Sequence, residues 1–152
     1  MTQLELFKGI PFFDAFSEEL LRAILPQVER RSFADGASVL EQGALNLDLY
    51  FLLSGAVDVL VDRQHVVTID RRGEVFGEMS IADHTTCTAS VRAKGDATLM
   101  VLNFEELKRT LSGQERETVL KHFYQATAEI LAKKLISTNQ IAKSYKALHG
   151  AR

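Results

Sequence analysis

The sequence predicts a mainly β domain with helices at both ends, and three observations predict it. Between residues 28 and 102, Val57, Val59 and Val61 alternate with Asp58, Leu60 and Asp62, the period of two that a strand requires. Gly36, Gly43, Gly55 and Gly73 punctuate the same region at turn-like intervals. No helical crossover separates these short segments, so a barrel or sandwich is expected rather than a parallel α/β sheet. From Asn103 onward the apolar spacing becomes helical.

The first segment, residues 1–27, reads as helical. Ser17 precedes Glu18 and Glu19, then Leu20, Leu21, Ile24 and Leu25. Its hydroxyl can cap a short helix whose acids lie in the positive first turn. Pro26 ends that helix. Residues 28–102 form the β region. Residues 103–149 are read as two helices. Asn103 with Glu106, and Ser112 with Glu115, have capping-box spacing, so a short helix is expected over about 104–111 and a long one over about 114–148. The long helix would span about 50 Å at 1.5 Å per residue, more than one small domain needs to cover its core.

Two apolar stripes run along that helix. Val119, Phe123, Ala126 and Ile130 form one. Tyr124, Ala128, Leu131, Leu135, Thr138, Ala142 and Tyr145 form another at near-heptad spacing. One stripe can pack on the strands while the other takes a partner helix. A single wide core-facing helix is the plainer alternative. Lys143 and Lys146 suit the helix dipole.

Composition narrows the function. The 152 residues suit one domain with a full core, and 46% hydrophobic against 25% charged is ordinary for a globular protein. The formal charge of −2 supplies no basic field for nucleic acid. No apolar run approaches about 18 residues, so no membrane span is expected. An acid at Glu5 precedes any apolar run, which is not a secretory pattern. The lone Cys87 forms no internal disulfide, which suits a cytoplasmic location. The histidines at 65, 84, 122 and 149 show no metal-ligand spacing with Cys87, and no phosphate loop or nucleophile elbow occurs. No enzyme is expected.

The stretch Phe76-Gly77-Glu78-Met79-Ser80-Ile81-Ala82-Asp83-His84-Thr85-Thr86-Cys87-Thr88-Ala89-Ser90-Val91 resembles the phosphate-binding cassette of cyclic-nucleotide-binding domains. These occur in catabolite-activator-type bacterial regulators, kinase regulatory subunits and gated channels. The family pattern runs Phe-Gly-Glu, a small apolar helical turn, then Pro-Arg-small-Ala-x-Val. Gly77 to Val91 fits without a gap, with Thr86 at the proline and Cys87 at the arginine. Upstream, Phe33-Ala34-Asp35-Gly36, Glu41-Gln42-Gly43, Tyr50 through Val57 and Arg72-Gly73-Glu74 are similar to the family's strands and turns. Ile10-Pro11-Phe12-Phe13 through Leu25 is similar to its N-terminal helices. The resemblance covers almost the whole chain. It implies a jelly-roll-like β-roll, a double-stranded β-helix, followed by a long dimerisation helix.

The resemblance also implies a ligand site. Glu78 would accept a ribose 2′-hydroxyl; its plainer role is a turn-bracing acid. Gly77 lets the backbone approach closely. The amides of Met79 and Ser80 open a short helix and can donate to a phosphate or hydroxyl. Thr88 matches the family's small hydroxyl residue, although its β-branching alone suits a strand. Ala132-Lys133-Lys134-Leu135-Ile136-Ser137-Thr138-Asn139 is similar to the basic run on the family's dimer helix. There the cation at Lys134 and the hydroxyl at Thr138 help form the site, and the residue at Asn139 reaches the purine in the neighbouring subunit.

Cys87 is the departure. An arginine–phosphate pair is charge-assisted and contributes roughly 1.5–3 kcal/mol, about 10- to 150-fold in affinity. A neutral thiol cannot supply it. Arg92, five residues on, would lie about 16 Å away along a strand. His84 from the cassette loop or Lys134 from the helix is placed to substitute. Otherwise Cys87 is a small apolar plug, or a redox-sensing thiol with His84 as its local cation.

The sequence therefore reads as a stand-alone cyclic-nucleotide-binding-like regulatory domain with no required cofactor. Its ligand is cyclic AMP or cyclic GMP at weakened affinity, or another small anion. The alternative is a protein-interaction and dimerisation module with a vestigial pocket. A homodimer through the long helix and an unidentified downstream protein are the expected partners. The sequence ends at Arg152, so no helix-turn-helix and no direct DNA binding are expected.

Overall fold

The computed structural model describes residues 4–78 and 86–148, with side chains through residue 136. Short 3₁₀ turns at Leu4–Phe7 and Pro11–Phe13 lead into α1, Glu18–Ile24, and a further turn at Leu25–Gln27 carries Pro26. Ser17 caps α1 as expected, its hydroxyl accepting from the Leu20 amide at 3.2 Å. The strands follow as β1, Val28–Phe33; β2, Ser38–Leu40; β3, Asp48–Val61; β4, Gln64–Ile69; β5, Val75–Phe76; and β6, Ser90–Asn103. Two helices close the described chain: α2, Phe104–Thr110, and α3, Gly113–Leu148. The expected β-roll with flanking helices and a long C-terminal helix is the observed architecture.

The roll is an antiparallel six-stranded sheet in the order β1-β6-β3-β4, with β2 also pairing β6 and β5 also pairing β3. Its two long strands, β3 and β6, carry 14 residues each and are buried on both faces at their paired ends. Alternation then assigns neighbours to opposite cores. Leu49, Phe51, Met100 and Leu102 face the helices, whereas Tyr50, Leu52, Leu99 and Val101 face the interior of the roll. This is why both strands contain continuous apolar runs rather than alternation.

The long strands bend together. The β3–β6 register shifts between Leu52 and Ser54 and again between Ser54 and Ala56. Gly55 sits there at φ +80°, and a Cβ on it would lie 2.3 Å from the Asp96 carbonyl oxygen. Only glycine fits so close a crossing. The β3–β4 hairpin, in contrast, turns without glycine. Asp62 and Arg63 take φ of 51° and 68°, the double left-handed geometry of a two-residue hairpin turn. Gln42 compensates by clasping Asp62: its amide nitrogen donates to the carboxylate and its oxygen accepts from the Asp62 amide, each at 2.9 Å.

The helical layer is held by aromatic packing. Phe7, Phe12, Phe13, Phe16, Phe51, Phe104 and Phe123 form one cluster. The Phe12 ring meets Phe51 at 5.3 Å and Phe123 at 5.2 Å, so the N-terminal segment joins the sheet to α3. Asn103 caps α2, its side-chain oxygen accepting from the Glu106 amide at 2.8 Å. Its amide nitrogen donates to Asp48 Oδ1 at 2.9 Å.

Along α3, the first expected stripe faces the core: Val119 and Phe123 are buried, and Ala126 and Ile130 pack against them. Members of the second stripe stand out, with Tyr124 at 48% and Leu135 at 62% exposure. Thr138, Ala142 and Tyr145 of that stripe have side chains outside the described residues. Among the described residues, no helix is long and apolar enough to cross a membrane.

Candidate functional site

A cavity of about 390 Å³ opens between the roll and α3. Val59, Val67, Ile69, Val75 and Val91 give it an apolar wall from four strands, and α3 contributes Ile130 and Lys134. Its polar end is built by the chain leaving β5. Gly77 takes φ +89°, and a Cβ there would lie 2.7 Å from the Asp48 carbonyl oxygen and 3.0 Å from Asn46 Nδ2. The glycine therefore lets this segment press against the loop before β3 and turns Glu78 into the cavity.

That loop is braced by Asn46, which is 6% exposed. Its Nδ2 donates to the Asp48 carbonyl at 2.8 Å, and its Oδ1 accepts from the Asp48 amide at 3.1 Å. Asn46 is absent from the sequence-based candidates. The available signal was Asn46-Leu47-Asp48 before an apolar strand, an Asx-turn pattern.

Glu78 is 2% exposed. A carboxylate so deeply placed needs a cation or strong donors. Lys134 meets that need from α3, its Nζ donating to Glu78 Oε1. The lysine expected as a substitute counter-ion for a phosphate thus pairs with the site's own acid. Arg92 is engaged elsewhere, 3.5 Å from Glu41, and does not line the cavity.

Cys87 lines the cavity at 7% exposure. Its backbone is fixed on both sides: its amide donates to the Ala44 carbonyl, and its carbonyl accepts from the Gly43 amide, both at 2.8 Å. Thr88 lies at the exposed rim. The structure brings together Gly77, Glu78, Cys87, Thr88 and Lys134 around one cavity. Met79, Ser80 and His84 lie outside the described residues. Thr138 and Asn139 continue α3 beyond Lys134, with side chains outside the described ones.

The arrangement can enclose a small molecule, and its size suits one. Among the described residues, its lining shows no nucleophile–base relay. His65, Thr68 and Asp58 do meet on β3 and β4: His65 Nε2 lies 2.9 Å from Thr68 Oγ1 and 3.2 Å from Asp58 Oδ1. A single ring nitrogen serves both contacts, so no proton can pass from hydroxyl through imidazole to acid. Thr68 instead donates directly to Asp58 at 2.6 Å, which holds that carboxyl below its usual range. Among the described residues, no cluster of three or more His, Cys, Asp or Glu could hold a metal ion.

The family model of the cyclic nucleotide-binding domain matches residues 30–114. The cyclic AMP receptor protein of Thermus thermophilus is 32% identical over 103 residues, covering 65% of this chain and 48% of that protein. The cAMP-dependent protein kinase regulatory subunit of Aspergillus fumigatus is 33% identical over 120 residues, covering 72% of this chain and 29% of that protein. The chain thus matches about half, or less, of the length of these curated relatives. Among solved structures, Thermus thermophilus catabolite activator protein has a TM-score of 0.72 at 25% identity, covering 90% of this chain and 63% of that one.

Tyr50 supplies a pH-dependent check on the frame of the site. Its ring stacks on Phe76 at 5.2 Å and 7°, next to Gly77. Burial pushes its phenol up to about 12, and the nearby Asp48 carboxylate adds to the shift. A folded-state value above the ordinary one stabilises the fold fully below about pH 10, and that contribution is lost as pH rises toward 12. Spectrophotometric titration should show one tyrosine ionising near pH 12, and Tyr50→Phe should remove it. A Tyr50→Phe titration identical to wild type would contradict the assignment.

Proposed function

The chain belongs to the cyclic nucleotide-binding domain family, and from that premise we propose that it is a regulatory sensor in which a small molecule in the cavity sets the packing of α3. The observation that carries this reading is the Glu78–Lys134 pair. It joins the deepest polar group of the cavity to the helix whose far face is exposed. A ligand group that engages Glu78 or Lys134 therefore acts directly on α3. The relatives are a cyclic AMP receptor and a kinase regulatory subunit by name, which favours regulation over catalysis.

The ligand sites in this reading are Gly77, Glu78, Met79, Ser80, Cys87, Thr88, Lys134, Thr138 and Asn139. Cyclic AMP or cyclic GMP binds more weakly than in relatives with the family's arginine, because Cys87 offers no charge. Replacing Cys87 with arginine restores a bidentate donor opposite the phosphate. Calorimetric titration should show cyclic AMP binding Cys87→Arg about 10- to 150-fold more tightly than wild type, equivalent to roughly 1.5–3 kcal/mol. A normally folded variant with no gain would favour the second reading, an interaction module with a vestigial pocket. The exposed apolar stripe on α3 supports that alternative.

Both readings use α3 as a homodimer surface. Tyr124 and Leu135 expose large apolar side chains along it, and Leu131 lies between them. A helix seam of this spacing is stabilised by burying those residues against a second copy. Light scattering at micromolar concentration should give a dimer, and Leu135→Glu should shift it toward monomer. A wild-type monomer, or a dimer unaffected by the substitution, would remove the seam from the account.

A further inference from the structure

Strand β4, Gln64–Ile69, ends the sheet path, and among the described residues no backbone group pairs with its outer edge. Its sequence, Gln-His-Val-Val-Thr-Ile, contains no Lys, Arg, Asp, Glu or Pro, the residues that usually guard an open edge. Val66 and Val67 are 60% and 48% exposed on it. Arg63 and Asp70 flank the strand, both exposed. Among the described residues, neither joins an ion pair. Laid antiparallel on itself, the segment is complementary: Arg63 meets Asp70, Gln64 meets Ile69, His65 meets Thr68 and Val66 meets Val67. A twofold axis produces each of these pairs twice.

A twofold axis normal to a sheet keeps each side chain on its own face. Residues that meet across the axis must therefore already share a face within one chain. In a regular strand His65 and Thr68, three apart, point to opposite faces, and this register is forbidden. Here a bulge removes the obstacle. Val59 pairs with Val67 and Leu60 with His65, so Val66 is an extra residue on β4. His65 and Thr68 then stand on one face, with His65 Nε2 2.9 Å from Thr68 Oγ1. Gln64 and Ile69, one step further out, share the other. A bulge usually spoils an edge for pairing, but this one is what makes the strand match its own copy. We propose that β4 pairs antiparallel with β4 of a second copy of this chain, about an axis between Val66 and Val67. The seam is distinct from the one on α3 and does not depend on the sensor reading.

Sedimentation velocity over a micromolar concentration series tests this in the full chain carrying Leu135→Glu, which charges the α3 stripe. Self-association should persist there, and amide exchange over residues 64–69 should slow as concentration rises. Val66→Lys sets like charges across the axis and should weaken association about tenfold or more. Arg63→Asp places an acid against the partner's Asp70 and should weaken it about threefold or more. Aspartate tolerates the left-handed φ of 68° at that position, so the turn is kept. Adding Asp70→Arg reverses both charges and should restore association to within about twofold of the parent. A Leu135→Glu protein that stays monomeric, with β4 exchange independent of concentration, would overturn the proposal and leave the edge to a foreign extended peptide or to solvent. Association that survives both Val66→Lys and Arg63→Asp would place the contact elsewhere and contradict it. So would an Arg63→Asp loss that Asp70→Arg does not repair.

Discussion

A carboxylate buried to 2% exposure inside a mostly apolar cavity is the constraint around which this molecule is arranged. Glu78 reaches that position because Gly77 lets the chain pass within contact of the Asn46–Asp48 loop. There α3 delivers Lys134 to it as a partner. The pair differs from an ordinary surface salt bridge. Glu78 is almost fully enclosed, so its loss of hydration must be offset locally, while Lys134 keeps its stem half exposed and its hydration in part. The result is an electrostatic tie between the roll and its helix across the lining of the cavity.

Everything else positions the two ends of that tie. The bend at Gly55 lets β3 and β6 serve two cores, one inside the roll and one beneath the helices. The inner core carries Tyr50 stacked on Phe76, which sets the chain path into Gly77. The outer core carries the phenylalanine cluster that seats α3 through Phe123. Lys134 lies eleven residues beyond Phe123, three helical turns along the same face, and so arrives over the cavity.

Much of this was legible in the sequence, for local reasons. Ser17 and Asn103 cap their helices because an oxygen followed by acids is a short-range signal, independent of tertiary context. The Val119–Ile130 stripe marked its buried face through helical spacing. The cassette stretch marked the β-roll and brought Gly77, Glu78, Cys87 and Thr88 to one cavity. What the sequence did not disclose depends on long-range pairing. Asp62 and Arg63 turn a hairpin without glycine because Gln42, twenty residues earlier, clasps Asp62. Asn46 looks like an ordinary loop residue until the Gly77 segment closes on it. Lys134 was readable as a cation of the expected site, but its partner was not, since Glu78 and Lys134 are 56 residues apart.

Coupling between cavity and helix is the central physical claim, and a double-mutant cycle read by amide hydrogen exchange on α3 addresses it most directly. Exchange over residues 126–136 would be compared in wild type, Glu78→Ala, Lys134→Ala and the double variant. The account predicts faster α3 exchange in each single variant and a double variant little worse than either, with a coupling of about 0.5–3 kcal/mol. Additive effects, or unchanged α3 exchange in both single variants, would contradict it and reduce the ion pair to a surface detail.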